Sequence, residues 1–266
     1  MQTTINHHWQ RFTLKQKLAR YSVYLVIVVA MIQSIRTVEV IPEFFYDAPE
    51  QMMDLFSRMW PMEWTYYPIS IHGAIIETLN IATLGTLLTL IFAIPLALMN
   101  ASNISKSLWS HWIARFFLVS SRSVNSLVWA LLFVSIFGPG VIAGVLAIAF
   151  RSIGFIGKLL AEALEEVDMG SVEALQATGA SPMSVLLKGY WPQVLPAFFS
   201  IILFRWDINV RESAVLGLVG AGGIGVVLND SMNLFQWQRV SVALFAIFMV
   251  VILAEIVVVN IRKKLI

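Results

Sequence analysis

The sequence carries EALQATGASP at residues 173–182, a polar stretch that lies between long apolar runs. We expect Glu173 to lie in the first turn of a helix, where its carboxylate meets the positive end of the helix dipole. Gly179 is predicted to end that helix in the left-handed conformation, which glycine adopts at low cost. Ser181 is predicted to cap a second helix with Pro182 at its first position. The stretch therefore predicts two short helices that meet at an angle, a shape suited to docking; an ordinary loop between two spans is the alternative.

The composition of the whole chain indicates a membrane protein. Hydrophobic residues make up 58% of the 266 residues and charged residues 13%, against about a quarter charged in soluble domains. The mean hydropathy is +0.78. A soluble protein of this size could not cover so much apolar surface, so lipid must cover part of it. We predict an all-α, polytopic membrane helix bundle of about six spans, because each span needs about 20 residues.

The apolar runs give the predicted organisation. A basic N-terminal segment, residues 1–20, precedes a first span and an acidic, aromatic loop that together occupy residues 21–71. Tryptophan and tyrosine side chains in that loop are typical anchors at a membrane surface. The transmembrane domain proper is predicted over residues 72–266, with a polar insert at about 162–190. Its further spans are predicted at about 73–99, 111–137, 141–160, from 192 onward, and 242–261.

The distribution of basic residues predicts the orientation of the chain. With about six spans, the N-terminal segment, the Lys106 loop, the insert with Lys158 and Lys188, and the basic C-terminus at 262–264 all fall on one side. The acidic loop after the first span falls on the other side. Because cytoplasmic loops carry the excess of lysine and arginine, both termini and the insert are predicted to face the cytoplasm.

A cluster of polar residues follows directly on the apolar run 198–204. It consists of Arg205, Asp207, Asn209, Arg211 and Glu212. Charges inside a membrane line a cavity or pair with each other. Residues four apart on a helix face each other, so we expect Asp207 to pair with Arg211, leaving Arg205 or Glu212 freer for other work. The cluster is a candidate translocation path, with Arg122 and Asn125 of the third span as further candidates; a purely structural role is the alternative.

Residues 220–225 read GAGGIG, which formally matches the G-x-G-x-x-G pattern of nucleotide-binding sites. That pattern needs a preceding strand and a βαβ unit, whereas this run follows a predicted membrane helix. Glycines in such a place allow close helix contacts or an irregular backbone buried in protein. We therefore predict a hinge or gate, formed by Gly220, Gly222, Gly223 and Gly225.

Two blocks resemble one family. Glu173-Ala174 followed by Gly179, and by Pro192 after an amphipathic stretch, resembles the EAA loop of binding-protein-dependent ABC importer permeases. The block NVRESAVLG at residues 209–217, together with the glycine run, resembles the phosphonate-transport branch of these permeases. The resemblance covers most of the chain from about residue 72 onward.

Three positions depart from the general pattern of the EAA loop. Leu175 replaces the usual second alanine, and Gly189 and Trp191 stand where isoleucine and leucine are preferred. These departures concern how the loop packs.

The resemblance implies a type I ABC importer (MetI-like) permease fold in a bacterial inner membrane. It implies that a coupling helix enters a cleft of the ATP-hydrolysing subunit, and the residues that would carry this contact are Glu173, Ala174, Gly179, Ala180, Ser181 and Pro182. The implied partners are a second copy of the chain, two ATP-binding subunits that hold ATP and magnesium, and a periplasmic or lipid-anchored substrate-binding protein, with no nucleic acid. The implied cargo is phosphonate or a related phosphorus oxyanion such as phosphite, hypophosphite or phosphate, for which Arg205 and Arg211 could supply forked, charged donors.

Other functions remain open at this stage. The sequence has no Walker motif, no cysteine and no plausible Ser/His/Asp set, so we predict no catalytic residue, no cofactor and no metal on this chain. A permease for methionine or an amino acid is one alternative. An ion-coupled secondary transporter or membrane enzyme would normally carry acids inside its spans, whereas Glu77 and Glu255 lie close to the ends of theirs.

Overall fold

The computed structural model describes residues 12–38 and 43–265. The predicted basic N-terminal segment lies outside the described residues as far as residue 11. The described parts of the chain contain helices and no strand, which confirms the all-α prediction. The α-helices are α1 Leu14–Thr37, α2 Glu43–Met59, α3 His72–Asn100, α4 Leu108–Ser123, α5 Ser126–Phe137, α6 Val141–Glu165, α7 Met169–Ala177, α8 Pro182–Val185, α9 Trp191–Leu216, α10 Ile224–Asn233 and α11 Trp237–Leu265.

The chain divides into two compact units, Met1–Phe56 and Ser57–Ile266. Helix α1 belongs to the first unit. It is long and apolar enough to span a membrane, since an 18-residue stretch within its 24 residues has a mean hydropathy of 1.7.

Helix α2 corrects the prediction of a loop after the first span. Its apolar residues recur at helical spacing, as at Phe45, Met52, Phe56 and Met59, while the acidic residues of the same stretch fall between them. This period of three to four residues produces an amphipathic helix. The prediction weighed the acidic and aromatic composition of the stretch and missed its period.

Helix α6 lies at the centre of the second unit and packs against α3, α4, α5 and α9. Glycines on α6 make this possible. A β-carbon on Gly154 would lie 2.1 Å from the carbonyl oxygen of Leu118 on α4, and one on Gly144 would lie 2.4 Å from that of Ala221. Small residues of this kind let helices approach closely where the hydrophobic effect cannot drive them together.

The third predicted span is broken in the structure. Helices α4 and α5 meet at an angle of 91°, with Val124 and Asn125 between them. The Asn125 side chain accepts a hydrogen bond from the backbone N–H of Leu127 at 3.1 Å and so caps α5. Five helices in the described residues are long and apolar enough to cross a membrane, or six if this bent pair counts as one span, which confirms the predicted number.

Candidate functional site

The first helix of the polar insert, α7, begins one turn earlier than predicted. The Asp168 side chain accepts a hydrogen bond from the N–H of Gly170 at 3.1 Å and caps α7. Glu173 is therefore the fifth residue of the helix and lies beyond the first turn, so the prediction that it meets the helix dipole is wrong. A carboxylate does lie at the positive end of α7, and it belongs to Asp168.

The turn in the middle of the insert forms as predicted. Gly179 has φ +77° and follows the end of α7. Its N–H donates to the carbonyl of Gln176 at 3.0 Å, and the N–H of Ala180 donates to that of Leu175 at 3.3 Å. This pair of bonds is the Schellman motif, which ends a helix and satisfies its last carbonyls. Ser181 then caps α8 by accepting from the N–H of Ser184 at 3.3 Å.

Buried apolar side chains hold the insert against the helix bundle. The side chains of Val172, Val185 and Tyr190 are at most 5% exposed and belong to one apolar cluster with the ends of α3 and α6. A β-carbon on Gly189 would lie 3.3 Å from side-chain atoms of both Val172 and Leu175, so a larger residue would push α7 outward. The departure from isoleucine at this position therefore has a packing reason.

The predicted docking residues lie on the opposite side of the insert. Ala180 is partly buried, and the exposed members are Glu173, Ala174, Gly179, Ser181 and Pro182. They form an exposed surface on the side of the insert opposite the buried side chains of Val172, Val185 and Tyr190.

Gln193 fastens this insert to α9 and was missed by the sequence analysis. Its amide nitrogen donates to the side chain of Ser171 at 2.8 Å and to the carbonyl of Gly189 at 2.8 Å. Its amide oxygen accepts from the N–H of Asp168 at 3.1 Å. One side chain thus holds the start of α7 against the start of α9. Gln193 directly follows Pro192, the last residue of the EAA-like pattern, and this position could have pointed to it.

The second half of the insert and the fifth span form one continuous helical run. A π-helical turn, Leu186–Tyr190, joins α8 to α9 without a break. Helix α9 itself begins at Trp191, beside Pro192, as predicted for the fifth span, whereas its continuity with α8 through the π turn was not predicted. A continuous helical rod runs from Pro182 to Leu216 and connects the insert directly to the polar cluster.

The polar cluster on α9 forms a buried network with α3 and α6. Asn209 is 0% exposed; its amide nitrogen donates to Thr86 on α3 at 2.8 Å, and its amide oxygen accepts from Ser152 on α6 at 3.1 Å. The guanidinium of Arg205, which is 4% exposed, donates to the same Ser152 hydroxyl at 2.9 Å. These bonds tie three helices together at one level.

The network continues through an ion-pair triad to the broken span. Glu212 lies 3.4 Å from Arg205 and 3.2 Å from Arg151 on α6, so two guanidinium groups share one carboxylate. Arg151 also donates to the carbonyl of Val124 at 3.0 Å. Val124 follows the last residue of α4, where helix carbonyls lack partners and a positive charge is favourable. Arg151 therefore stabilises the break between α4 and α5.

The expectation that Arg205 or Glu212 stays freer is wrong. Both belong to the triad, because residues seven apart also share a helix face and α6 supplies a second cation. The network has three further members that were not predicted from the sequence: Arg151, Ser152 and Thr86. Arg151 offered a signal, since it is a charge inside the apolar run 141–160.

The predicted pair between Asp207 and Arg211 is confirmed. The Arg211 side chain is 49% exposed and the Asp207 side chain 8%. Arg211 thus presents half of its side chain outward, while the carboxylate of its partner is buried. Among the other path candidates, Arg122 lines a cavity between α4 and α6, and Asn125 caps α5.

The glycine run forms a close junction with α3. Gly220, Gly222 and Gly223 have φ between +75° and +84°, and the run ends where α10 begins. The N–H of Gly223 donates to the Glu77 carboxylate at 2.9 Å, and the N–H of Ile224 donates to the Thr78 hydroxyl at 2.8 Å. Two side chains of α3 therefore satisfy the N-terminus of α10. Gly225 serves close packing, because a β-carbon there would lie 2.2 Å from the carbonyl of Ala214.

The fold and these sites define a multi-pass membrane protein whose short helical insert runs directly into a membrane-spanning helix. A family model described as a binding-protein-dependent transport system inner membrane component matches residues 93–266. The chain belongs to this family of ABC importer permeases.

Similar proteins agree with this assignment. The phosphite transport system permease protein PtxC of Stutzerimonas stutzeri is 40% identical over 68% of this chain and 66% of its own length. The phosphate-import permease protein PhnE of Mycolicibacterium smegmatis is 36% identical over 89% of this chain and 44% of its own length. The chain thus spans about two thirds or less of these relatives.

A solved structure supports the fold. One chain of the MetNI methionine ABC transporter, in an inward-facing conformation, matches with a TM-score of 0.63 at 20% identity. The match covers 74% of this chain and 96% of that chain. The predicted type I permease fold is confirmed.

Proposed function

We propose that this chain is the membrane subunit of an ATP-driven importer and couples ATP hydrolysis on a separate subunit to the movement of its own spans. The observation that carries this proposal is the continuity of the rod from Pro182 to Leu216. A push on the exposed face of the insert meets a buried base at Val172 and Tyr190, and so moves α9 as a whole. Because packed helices shift as units, the displacement reaches the buried network.

The proposed cargo is a phosphorus oxyanion such as phosphonate or phosphite. The relatives at 40% and 36% identity carry phosphite and phosphate in their names and match 68% and 89% of this chain, whereas methionine permeases at 30% and 33% identity match only 44% and 34% of it. Arg211 is the proposed cargo contact, since its half-exposed guanidinium can offer forked, charged donors to an oxyanion. Asp207 holds that guanidinium in place. Arg205, Asn209 and Glu212 serve the framework behind it.

The proposed assembly contains two permease chains, two ATP-binding subunits that hold ATP and magnesium, and a substrate-binding protein on the outer side. A second copy of this chain is the proposed partner in the membrane. The relative whose matched part makes up 44% of its length is long enough to hold two such domains in one chain, which supports a paired arrangement. The insert and both termini are proposed to face the cytoplasm, in agreement with the basic residues at Lys106, Lys158 and Lys188.

A site-specific crosslink tests the coupling proposal, because the chain contains no cysteine of its own. We expect Ala174→Cys to crosslink to the co-purified ATP-binding subunit, and the yield to change when ATP is added. Ser123→Cys is the matched control, an exposed small residue at the end of α4 with no part in the insert. An Ala174→Cys yield no higher than that of the control would overturn the docking role.

A further inference from the structure

A cavity of about 450 Å³ lies between α4 and α6, away from the buried network and from the docking surface. The insert end of the bundle forms one of its sides. There the N–H of Ser102, just after α3, donates to the carboxylate of Glu165 at 2.7 Å, and the side chain of Asn103 donates to the carbonyl of Leu164 at 2.6 Å. The cavity therefore belongs to the end of the bundle that carries the insert.

Cations without partners line this cavity. Arg115 and Arg122 both project from α4, and neither guanidinium has a hydrogen bond or ion pair with any residue that the structure describes. They lie seven residues apart, which places them on one helix face about 10 Å apart along the axis, a separation that two arginine side chains can close around one small anion. His111 adds a further donor one turn from Arg115.

The acids of the same cavity are already engaged. Glu162 pairs with Lys158 at 3.2 Å, and Glu165 accepts the backbone N–H of Ser102. The lining carries three cations, the two arginines and Lys158, against these two carboxylates, so its net charge is positive, and the two arginines are the cations without a partner among the described residues. Guanidinium groups in pairs are suited to a phosphate, whose oxygens they bind through parallel hydrogen bonds.

A second, independent feature points to a ligand with a hydroxyl group. The side-chain oxygen of Asn100, which also lines the cavity, is buried and accepts no hydrogen bond. Buried acceptors of this kind normally have partners. Hydrogen phosphate carries a P–OH group, and a glycerol headgroup on a phosphodiester carries alcohol hydroxyls; either can donate to this oxygen while phosphate oxygens face the arginines.

We propose that this cavity is a binding site for a phosphate-bearing anion, separate from the cargo contact at Arg211 and independent of the identity of the cargo. The anion has two possible sources. Free phosphate can enter from the insert side. The headgroup of an anionic lipid such as phosphatidylglycerol can enter from the membrane, since Trp109 and Trp112 on α4 are 80% and 69% exposed and are typical of a helix at the membrane surface.

Two binding measurements distinguish these sources. In the first, the detergent-purified full chain is titrated with inorganic phosphate by calorimetry. In the second, the chain is reconstituted in nanodiscs of phosphatidylcholine with or without phosphatidylglycerol, and retained lipid is counted by native mass spectrometry. Saturable phosphate binding assigns the site to the free anion, and selective retention of phosphatidylglycerol assigns it to the headgroup.

The variants Arg115→Gln and Arg122→Gln, singly and together, show whether the bound anion lies in this cavity. Each single change is expected to weaken the observed binding about tenfold, and the double change to abolish it. The matched control is Arg36→Gln, an exposed arginine at the end of α1. Independently of the variants, phosphate or the lipid should slow hydrogen exchange over residues 108–123 of the unmodified chain. Absence of binding in both arms, or binding that both arginine variants leave unchanged, would overturn the proposal.

Discussion

The guanidinium of Arg205 lies 3.4 Å from the carboxylate of Glu212, two helical turns further along α9, and Arg151 of α6 lies 3.2 Å from the other oxygen of that carboxylate. One acid thus pairs with two cations, and the side-chain exposure is only 18% for Glu212 and 5% for Arg205. Taking a buried charge pair apart costs more than the pair contributes, because it leaves a charge without a partner.

We therefore expect Glu212→Gln to destabilise the protein. The loss should be about 3 kcal/mol, the lower end of the cost of breaking a buried pair, since Arg151 keeps some exposure. Thermal unfolding of the detergent-purified chain measures it. Glu173→Gln makes the same chemical change at an exposed carboxylate and should leave the midpoint unchanged; equal midpoints for both variants would contradict the framework role of the triad.

The double variant Asp207→Asn with Arg211→Ala should remove the proposed cargo contact without leaving a buried charge behind. We expect a stable protein whose uptake of phosphonate or phosphite falls at least about tenfold, the value of one charge-assisted hydrogen bond. Asp207→Asn alone keeps the guanidinium and should retain most of the uptake. Normal transport by the double variant would assign Arg211 a structural role only.

Gln193→Ala should loosen the insert from α9. The ATP-binding subunit should still co-purify, because the exposed residues of the insert are unchanged, but less of its ATP hydrolysis should be converted into uptake. The ratio of transported cargo to hydrolysed ATP in proteoliposomes measures this, and we expect it to fall severalfold. Gln51→Ala on α2 removes the same side chain from an exposed site and serves as the control. A ratio equal to that control would show that Gln193 does not contribute to coupling.

Gly222→Ala should destabilise the junction between α3 and α10. Gly222 has φ +84°, and a β-carbon there would lie 2.7 Å from a carboxylate oxygen of Glu77. A strained backbone of this kind costs about 1–3 kcal/mol. Gly73→Ala is the matched control, because no atom lies within 4 Å of its added β-carbon in the first turn of α3. The control should be neutral or slightly stabilising in thermal unfolding; a similar result for Gly222→Ala would argue against a tight junction.

The residues that end one helix and begin the next could be predicted from the sequence. Gly179, Ser181 and Pro182 occupy the predicted positions because each acts through its own backbone preference, which does not depend on distant residues. The same holds for the pair of Asp207 and Arg211, whose spacing of four residues brings them together on any helix.

Contacts between side chains of elements that are far apart in the sequence could not be predicted from it. Arg151 meets Glu212 only because α6 packs beside α9, and Gln193 meets Asp168 only because the insert folds back on its own rod. The continuity of α8 and α9 was missed for a related reason: a proline favours a helix start in isolation, whereas the π turn before α9 ends at Tyr190, whose side chain is buried against the ends of α3 and α6.

The exposed face of the insert is the element on which the account depends, and one measurement tests it most directly: ATP-driven uptake by the complete complex in proteoliposomes, with Glu173→Lys against the unmodified chain. Glu173 has no partner among the described residues, so its reversal should leave the fold intact. We expect the variant complex to hydrolyse ATP but to import phosphonate or phosphite at a small fraction of the normal rate. Uptake by the variant at the normal rate, with normal ATP consumption, would contradict the claim that this insert transmits the work of the ATPase.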